Sequence, residues 1–252
     1  MPSLKGEFFT AIELHSVERL RAVLDAGFDP RVRIDDKTPV NWLTEMYGRS
    51  AQLSACLQVL LDHGAVLDDP LTAPVLLNDA AALKSGIQAN PSLLAHRTTL
   101  VCSFTPLVGA SLLHVAVEYG NLEAARVLIE SGADVNARAA VDENGFNGHT
   151  PLFHAVNQNP RQTTDMLRLL LAAGAKTDVW LPGLVWGRGF EWETTFFDIT
   201  PLSYAQMGLT SQMHRRELEI YENIKLLLAA AHRPVPPLRN VPNRYLQPKP
   251  KS

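Results

Sequence analysis

One stretch of the chain, residues 112–138 (LLHVAVEYGNLEAARVLIESGADVNAR), constrains the fold most strongly. Apolar residues recur in it at helical spacing in two short runs, the first ended by Gly120 and the second by Gly132. Neither run is long enough to bury its apolar face alone. The pattern therefore predicts a unit of two short antiparallel helices that stacks on neighbouring copies, and such units come in threes or more.

The unit recurs along the chain, with a glycine after its second helix. This marker glycine is found at Gly27, Gly64, Gly132 and Gly174. The gap from Gly64 to Gly132 is 68 residues, about two periods of roughly 34, so a degenerate unit is predicted between them. A second marker is a Thr-Pro pair at the start of the first helix, where proline is favoured because no N–H is needed. It occurs at Thr38 and Pro39, Thr105 and Pro106, Thr150 and Pro151, and Thr200 and Pro201.

The unit resembles an ankyrin repeat. His114 and Ala116 match the H-x-A of the family's T-P-L-H-x-A signature, although Ser111 and Leu112 stand where the signature has Thr-Pro. The resemblance implies an all-α ankyrin-repeat solenoid of about six helix-turn-helix units. It also implies that the protein binds another protein, and that His114 makes structural hydrogen bonds between neighbouring units.

The two markers together predict an ankyrin repeat domain over residues 1–232 and a proline-rich basic tail over residues 233–252. The repeats are predicted at 4–36, 37–69, 70–104 (the degenerate unit), 105–140, 149–181 and 199–232. The second helix of the last repeat is predicted to be longer than its counterparts, at about 20 residues, with a polar start that closes the stack.

Charge and hydropathy argue against two classes of partner. No run of about 18 apolar residues is present, so no membrane span is predicted. The formal net charge is −3, but residues 233–252 hold five cations and no acid, which leaves 18 basic against 26 acidic residues, or −8, in residues 1–232. Because duplex binding depends on phosphate neutralisation, this acidic body disfavours nucleic acid as a partner.

The chain also lacks the common catalytic signatures. It has no phosphate-binding loop, nucleophile elbow, HExxH or paired CxxC, so the sequence predicts no enzyme, no cofactor and no metal. Its two cysteines, Cys56 and Cys102, are expected to be reduced and buried, as in a cytoplasmic protein.

Two insertions interrupt the turns between repeats. The interval from Gly132 to Thr150 is 18 residues and that from Gly174 to Thr200 is 26, against about 12 in the ankyrin pattern. Successive turn tips lie along one edge of such a stack, roughly 10 Å apart. The two insertions are therefore expected to be neighbours in space.

The second insertion is rich in aromatic residues, and we call residues 180–197 the finger. Its glycines and partial alternation predict two strands. The rings at its base are predicted to form a local core: Trp180, Phe196 and Phe197. The rings nearer the tip are predicted, together with Arg188, to contact a partner, as large amphipathic rings do at binding hot spots: Trp186, Phe190 and Trp192. A local core made by all these rings is the alternative.

The concave face is the second predicted contact surface, because the first helices and turn tips line it in the ankyrin architecture. The partner-binding residues predicted here are Tyr119 and Asn157, near Glu45, Met46 and Gln158, and Phe146 is added from the first insertion. The alternative for each of these residues is that its side chain is exposed to solvent and contacts no partner.

The alternative function is a small-molecule or metal-dependent pocket, including a catalytic one, between residues 139–149 and 180–198. His149 and His154 lie beside the first insertion, and the two insertions carry several acids: Asp142, Glu143, Glu191, Glu193 and Asp198. Acids and imidazoles that converge beside aromatic walls suit such a pocket. For His154 itself the sequence favours a hydrogen-bonded core histidine over a ligand.

Overall fold

The computed structural model describes residues 3–46, 48–156, 163–208 and 217–235. Within these ranges the α-helices form six consecutive pairs, which we number one to six. The helices are α1 (Leu4–Glu13), α2 (Val17–Asp25), α3 (Pro39–Glu45), α4 (Leu53–Asp62), α5 (Ala73–Leu76), α6 (Ala80–Ala89), α7 (Leu112–Glu118), α8 (Leu122–Glu130), α9 (Pro151–Val156), α10 (Thr163–Ala172), α11 (Pro201–Met207) and α12 (Glu217–Ala230). The part of the predicted tail beyond residue 235 lies outside the described residues.

Capping side chains and glycines set the limits of these helices. Ser3, Ser16 and Thr38 each accept a hydrogen bond from the backbone N–H three residues further on, which satisfies a donor that the helix leaves unpaired. The four marker glycines all have φ between +88° and +98°. Only glycine adopts this backbone conformation without strain, so the recurring glycine is a direct requirement of the turn.

The third pair lies within residues 70–104, where the degenerate unit was predicted, and it stacks on the fourth pair through polar contacts as well as the shared core. The side chain of Asn121, just before α8, donates from Nδ2 to the backbone oxygen of Val75 at 2.7 Å. The side-chain oxygen of Asn78 accepts from the backbone N–H of Ala124 at 3.0 Å. These bonds join the turn of the third pair to the start of α8, and one continuous hydrophobic core runs from the first pair to the last.

The region before the fourth pair corrects two expectations. Thr105 and Pro106 do not open a helix, because α7 begins at Leu112 and is capped by Ser111, whose hydroxyl accepts from the backbone N–H of His114. The residues before it form strands β1 (Arg97–Leu100) and β2 (Leu107–Ser111), which pair antiparallel. A second antiparallel pair, β3 (Leu181–Trp186) and β4 (Thr194–Ile199), lies in the finger. The fold is therefore helical repeats with two small sheets, not all-α.

No helix in the described ranges combines the length and the apolar character that crossing a membrane requires.

Candidate partner-binding surface

The two insertions are in contact, as their spacing predicted. The backbone N–H of Asn147 donates to the backbone oxygen of Gly183 at 2.8 Å, and the side-chain oxygen of Asn147 accepts from the N–H of Val185 at 3.1 Å. The first insertion thus pairs with β3, on the side away from β4. The carboxylate of Asp142 shapes this insertion, because it accepts hydrogen bonds from the backbone N–H of Phe146 at 3.0 Å and from Asn147 Nδ2 at 2.9 Å.

Trp186 lies on the inner side of the finger, which corrects the prediction that it offers an exposed ring. Trp186 is only 8% exposed, and its ring lies 6.2 Å from the ring of Phe104. The next residue, Gly187, donates its N–H to the backbone oxygen of Phe104 at 3.0 Å. Leu184 is buried as well, and because side chains two apart on a strand share a face, this face of β3 packs on the core of the repeats.

The base of the finger also differs from the prediction. Trp180 is 54% exposed and Phe197 is 64% exposed, so neither belongs to a local core. Phe196 is half-buried, with its ring 6.4 Å from that of Tyr204. Phe197 lies opposite Gly183 in the strand register and contacts Phe146 edge to face, with the ring centres 5.7 Å apart. The base therefore presents aromatic surface outward.

The tip carries a stacked pair of rings. Phe190 and Trp192 lie with their ring centres 4.6 Å apart and their planes 20° apart, and Trp192 is 45% exposed. Gly187, with φ +65°, makes this packing possible, because a Cβ there would come within 2.7 Å of the indole of Trp192. Arg188 is exposed and lies 4.0 Å from Asp142 of the first insertion. Phe190, Trp192 and Arg188 are thus placed where a partner can reach them.

Two of the predicted concave contacts, Tyr119 and Glu45, are covered by the protein itself. Tyr119 is 8% exposed; its hydroxyl donates to the backbone oxygen of Thr44 at 2.8 Å, and the guanidinium of Arg49 lies 4.7 Å from its ring centre. Glu45 is buried too. Tyr119 is therefore an inner contact between the second and fourth pairs, and its predicted role as a partner contact is corrected. Asn157 and Gln158 lie outside the described residues.

Residues 102–105, which the sequence analysis did not place here, cover the side of the stack that Tyr119 and Glu45 were predicted to line. The Cys102 thiol donates to Glu118 Oε1 at 3.0 Å, Ser103 Oγ donates to the backbone oxygen of Glu45, and Thr105 Oγ1 and the Tyr204 hydroxyl are 2.8 Å apart. All four residues of the segment are buried. Their partners belong to the first helices of the second, fourth and sixth pairs. The segment therefore runs along the side of the stack that was expected to receive a partner.

A buried polar network lies beneath this segment. Glu118 accepts from His154 Nδ1 at 2.7 Å through one oxygen and lies 3.6 Å from the Arg49 guanidinium through the other. His154 and His149 meet at 3.2 Å between their Nε2 atoms, and His149 Nε2 donates to the backbone oxygen of Pro106 at 2.9 Å. His154 is thus a hydrogen-bonded core histidine, as favoured from the sequence. Arg49 and Glu118 carried no recognisable signal, because nothing local marks a charge for burial.

The pKa values of three groups in or beside this network are shifted. Burial lowers the pKa of His149 well below the usual value, and the neighbouring imidazoles of His154 and His114 act in the same direction. Burial is also the largest cause that lowers the pKa of His114. Burial alone would raise the pKa of Glu118, but the hydrogen bond and charge of His154 and the charge of Arg49 bring it below the usual value. His114 also donates from Nε2 to the backbone oxygen of His149 at 3.1 Å, so its predicted structural role is confirmed.

The alternative pocket is not assembled by these residues. His149 and His154 lie in the core, whereas Glu143, Glu191 and Asp198 are exposed. Glu193 accepts a hydrogen bond from the backbone N–H of Gly189 at 2.7 Å within the tip itself. Across the part of the chain that the structure describes, no group of three or more histidine, cysteine or acidic side chains is arranged to hold a metal ion.

A comparison with protein-family models agrees with the repeat pattern over part of the chain. Residues 77–181 match the family model for ankyrin repeats in three copies. The mouse B-cell lymphoma 3 protein homolog is 43% identical over 70 residues, which are 28% of this chain and 14% of that protein. The human ASB11 ankyrin repeat domain aligns with 88% of this chain and 82% of its own, at 19% identity and a TM-score of 0.39. The match shows that residues 77–181 of this chain consist of ankyrin repeats.

Proposed function

We propose that the protein binds another protein through the outward surface of its finger. One observation carries the proposal. Among the described residues, the large aromatic side chains that are most exposed are Trp180, Trp192 and Phe197, and all three belong to the finger. Phe146 extends this surface, because its half-buried ring contacts that of Phe197.

Exposed rings of this kind suit a binding surface. Ankyrin repeats are generally protein–protein interaction modules. Large rings bury much area for a small loss of rotamer freedom, and they are enriched among the residues that dominate binding energy. The covering of the concave face by residues 102–105 leaves the finger as the better candidate surface. All six helix pairs then act as the rigid support that holds the finger in place.

The charge around these rings indicates the chemistry of the partner. Glu191, Glu193 and Asp198 are exposed in or beside the finger, and Glu143 is exposed in the first insertion. The one cation of the tip, Arg188, already lies beside Asp142. A partner surface that carries lysine or arginine side chains next to apolar ones would complement this pattern.

The test compares two double variants with the wild-type protein in affinity capture read by mass spectrometry. Replacing Trp192 and Phe197 by alanine is expected to remove a partner that the wild type retains. The matched control replaces Leu14 and Val66 by alanine; these apolar side chains are 61% and 65% exposed and lie in the turns that follow α1 and α4. The proposal fails if the finger variant and the control retain the same proteins.

We propose a reducing, cytoplasmic location for this function. Both cysteines are free and buried, and burial raises the pKa of the Cys56 thiol to about 11, which disfavours its oxidation. Alkylation of the denatured protein from freshly lysed cells, after fractionation, is expected to find both thiols reduced in the soluble fraction. Recovery in a membrane or extracellular fraction would contradict this location.

A further inference from the structure

The ammonium group of Lys37 lies in a partly exposed site between the second helix pair and the finger tip, with the Lys37 side chain 34% exposed. Lys37 ends a tight turn, in which its backbone exchanges hydrogen bonds with Ile34 at 2.8 and 3.0 Å. Its Nζ lies 2.8 Å from Oε1 of Glu45. The same Nζ lies 4.6 Å from the ring centre of Trp42 and 5.7 Å from that of Phe190. One cation is therefore bound by a carboxylate and two aromatic faces.

The rings of this site are held in place without help from Lys37. The indole N–H of Trp42 donates to the backbone oxygen of Ile34 at 2.9 Å, and its ring meets Phe9 edge to face at 5.0 Å. On the opposite side, Phe190 is stacked on Trp192. Preorganised aromatic faces attract ammonium groups through the negative charge of the ring face, and more strongly where water is excluded.

Glu45 has capacity beyond the bond it makes to Lys37. Its side chain is 4% exposed, and Oε2 has no hydrogen-bond partner among the described residues. A carboxylate has about four acceptor positions, and a buried one requires a cation or donors to compensate its lost hydration. The site therefore suits a positively charged group with several N–H donors. A primary ammonium has both properties.

We propose that Trp42, Glu45 and Phe190 form an ammonium-binding site that Lys37 occupies in the free chain and that a lysine side chain of the partner enters by replacing it. The entry of a partner lysine rests on the proposed function of the finger, whereas the existence of the ammonium-binding site does not. Phe190 and Trp192 belong to the finger tip, so a partner that binds the tip can place a lysine side chain beside this site. The exposed acids Glu191 and Glu193 favour the approach of such a cation.

The site is tested with n-butylammonium, which reproduces the end of a lysine side chain. Lys37→Ala empties the site, and Lys37→Met keeps the aliphatic stem, so that the second variant serves if the first does not fold. In either variant, butylammonium at about 50 mM is expected to raise the melting temperature by more than the same concentration of sodium chloride does. The reason is that a ligand that binds only the folded state stabilises that state. The wild type, whose site is filled, is expected to show no such excess.

Glu45→Gln added to the Lys37 variant is the matched control. It is expected to weaken butylammonium binding by about tenfold or more, because it removes the charge that compensates the ammonium. Equal shifts in the wild type, the single variant and the double variant would overturn the site, as would a failure of butylammonium to stabilise Lys37→Met.

The replacement of Lys37 by a partner lysine is tested separately, with a protein that the wild type captures. Lys37→Ala is expected to strengthen that capture and Glu45→Gln to weaken it by about tenfold. Unchanged capture in both variants would refute the replacement and leave the finger as the contact surface. If the Trp192 and Phe197 double variant keeps its partner, the proposed function fails, while the butylammonium measurement still decides the site.

Discussion

Trp186 and Trp192 belong to the same finger but lie in different surroundings. Trp186 follows the inner face of β3 and packs beside Phe104, whereas Trp192 lies past the turn, stacked on Phe190 and open to solvent. Residue type therefore does not decide whether a ring supports the fold or offers a surface. The difference comes from what packs against each ring. Phe104 and the core of the repeats cover Trp186, whereas Trp192 packs on Phe190 and Gly187 of the finger itself.

The largest effect is expected in the buried network on the inner side. Glu118→Ala leaves the charge of Arg49 buried without its carboxylate, so it is expected to lower the free energy of unfolding by about 3–5 kcal/mol. Urea denaturation followed by circular dichroism measures this. Glu123→Ala is the control, since this exposed acid pairs with Arg126 at 3.6 Å and should matter by less than about 1 kcal/mol. Similar losses for both variants would show that Glu118 is not compensating a buried charge.

Trp186→Ala is expected to lower the free energy of unfolding by about 3 kcal/mol, because it removes a buried ring and leaves a cavity beside Phe104. The same denaturation experiment on Trp180→Ala gives the comparison within the finger. Trp180 is more than half exposed, and its loss should change stability by less than about 1 kcal/mol. A small effect for Trp186→Ala would mean that the inner face contributes little to holding the finger.

Acid is expected to weaken the inner region selectively. The pKa values of His149 and His114 are lowered in the folded protein, so the unfolded chain takes up protons first as the pH falls through about 6.5. Their contribution to stability is complete above that pH and declines below it, by about 1 kcal/mol for each histidine at pH 5.5. Unfolding measured at pH 7.5 and 5.5, for the wild type and His149→Gln, isolates the effect. Equal pH dependence of the two proteins would exclude His149 as a contributor.

The smallest effect on stability is expected at the tip. Trp192→Ala removes a ring that is 45% exposed and lies outside the core of the repeats, so the free energy of unfolding should change by no more than about 0.5 kcal/mol. Its consequence should appear in partner capture instead. A melting transition that falls as far as that of Trp186→Ala would remove the distinction between the inner and outer rings.

Much of the repeat pattern could be predicted because its signals are local. The marker glycines predicted turns whose φ only glycine adopts freely, and Thr38 caps α3 as the Thr-Pro marker indicates. The same marker failed at Thr105, because a strand pairing with residues 97–100 took the place of a helix start. Pairing partners far along the chain are not visible in a local motif.

The candidate surface was predicted only in part. The sequence indicated that the two insertions meet and that the finger is aromatic, and Arg188, Phe190 and Trp192 are accessible in the structure. It assigned the wrong burial to Trp180, Trp186 and Phe197, since distance from the base of a loop is a poor measure of exposure. The site around Lys37 was not visible either, because its carboxylate and its two rings come from different parts of the chain.

The sequence by itself determined the repeating helix pairs and the positions of the insertions between them, because capping residues, glycine turns and helical periodicity act within a few residues of one another. Only the tertiary structure decided which rings are buried, which side chain compensates each buried charge, and that residues 102–105 cover the concave face. These outcomes depend on groups that are distant in the chain and adjacent in space, where desolvation and packing are set by the neighbour and not by the residue alone.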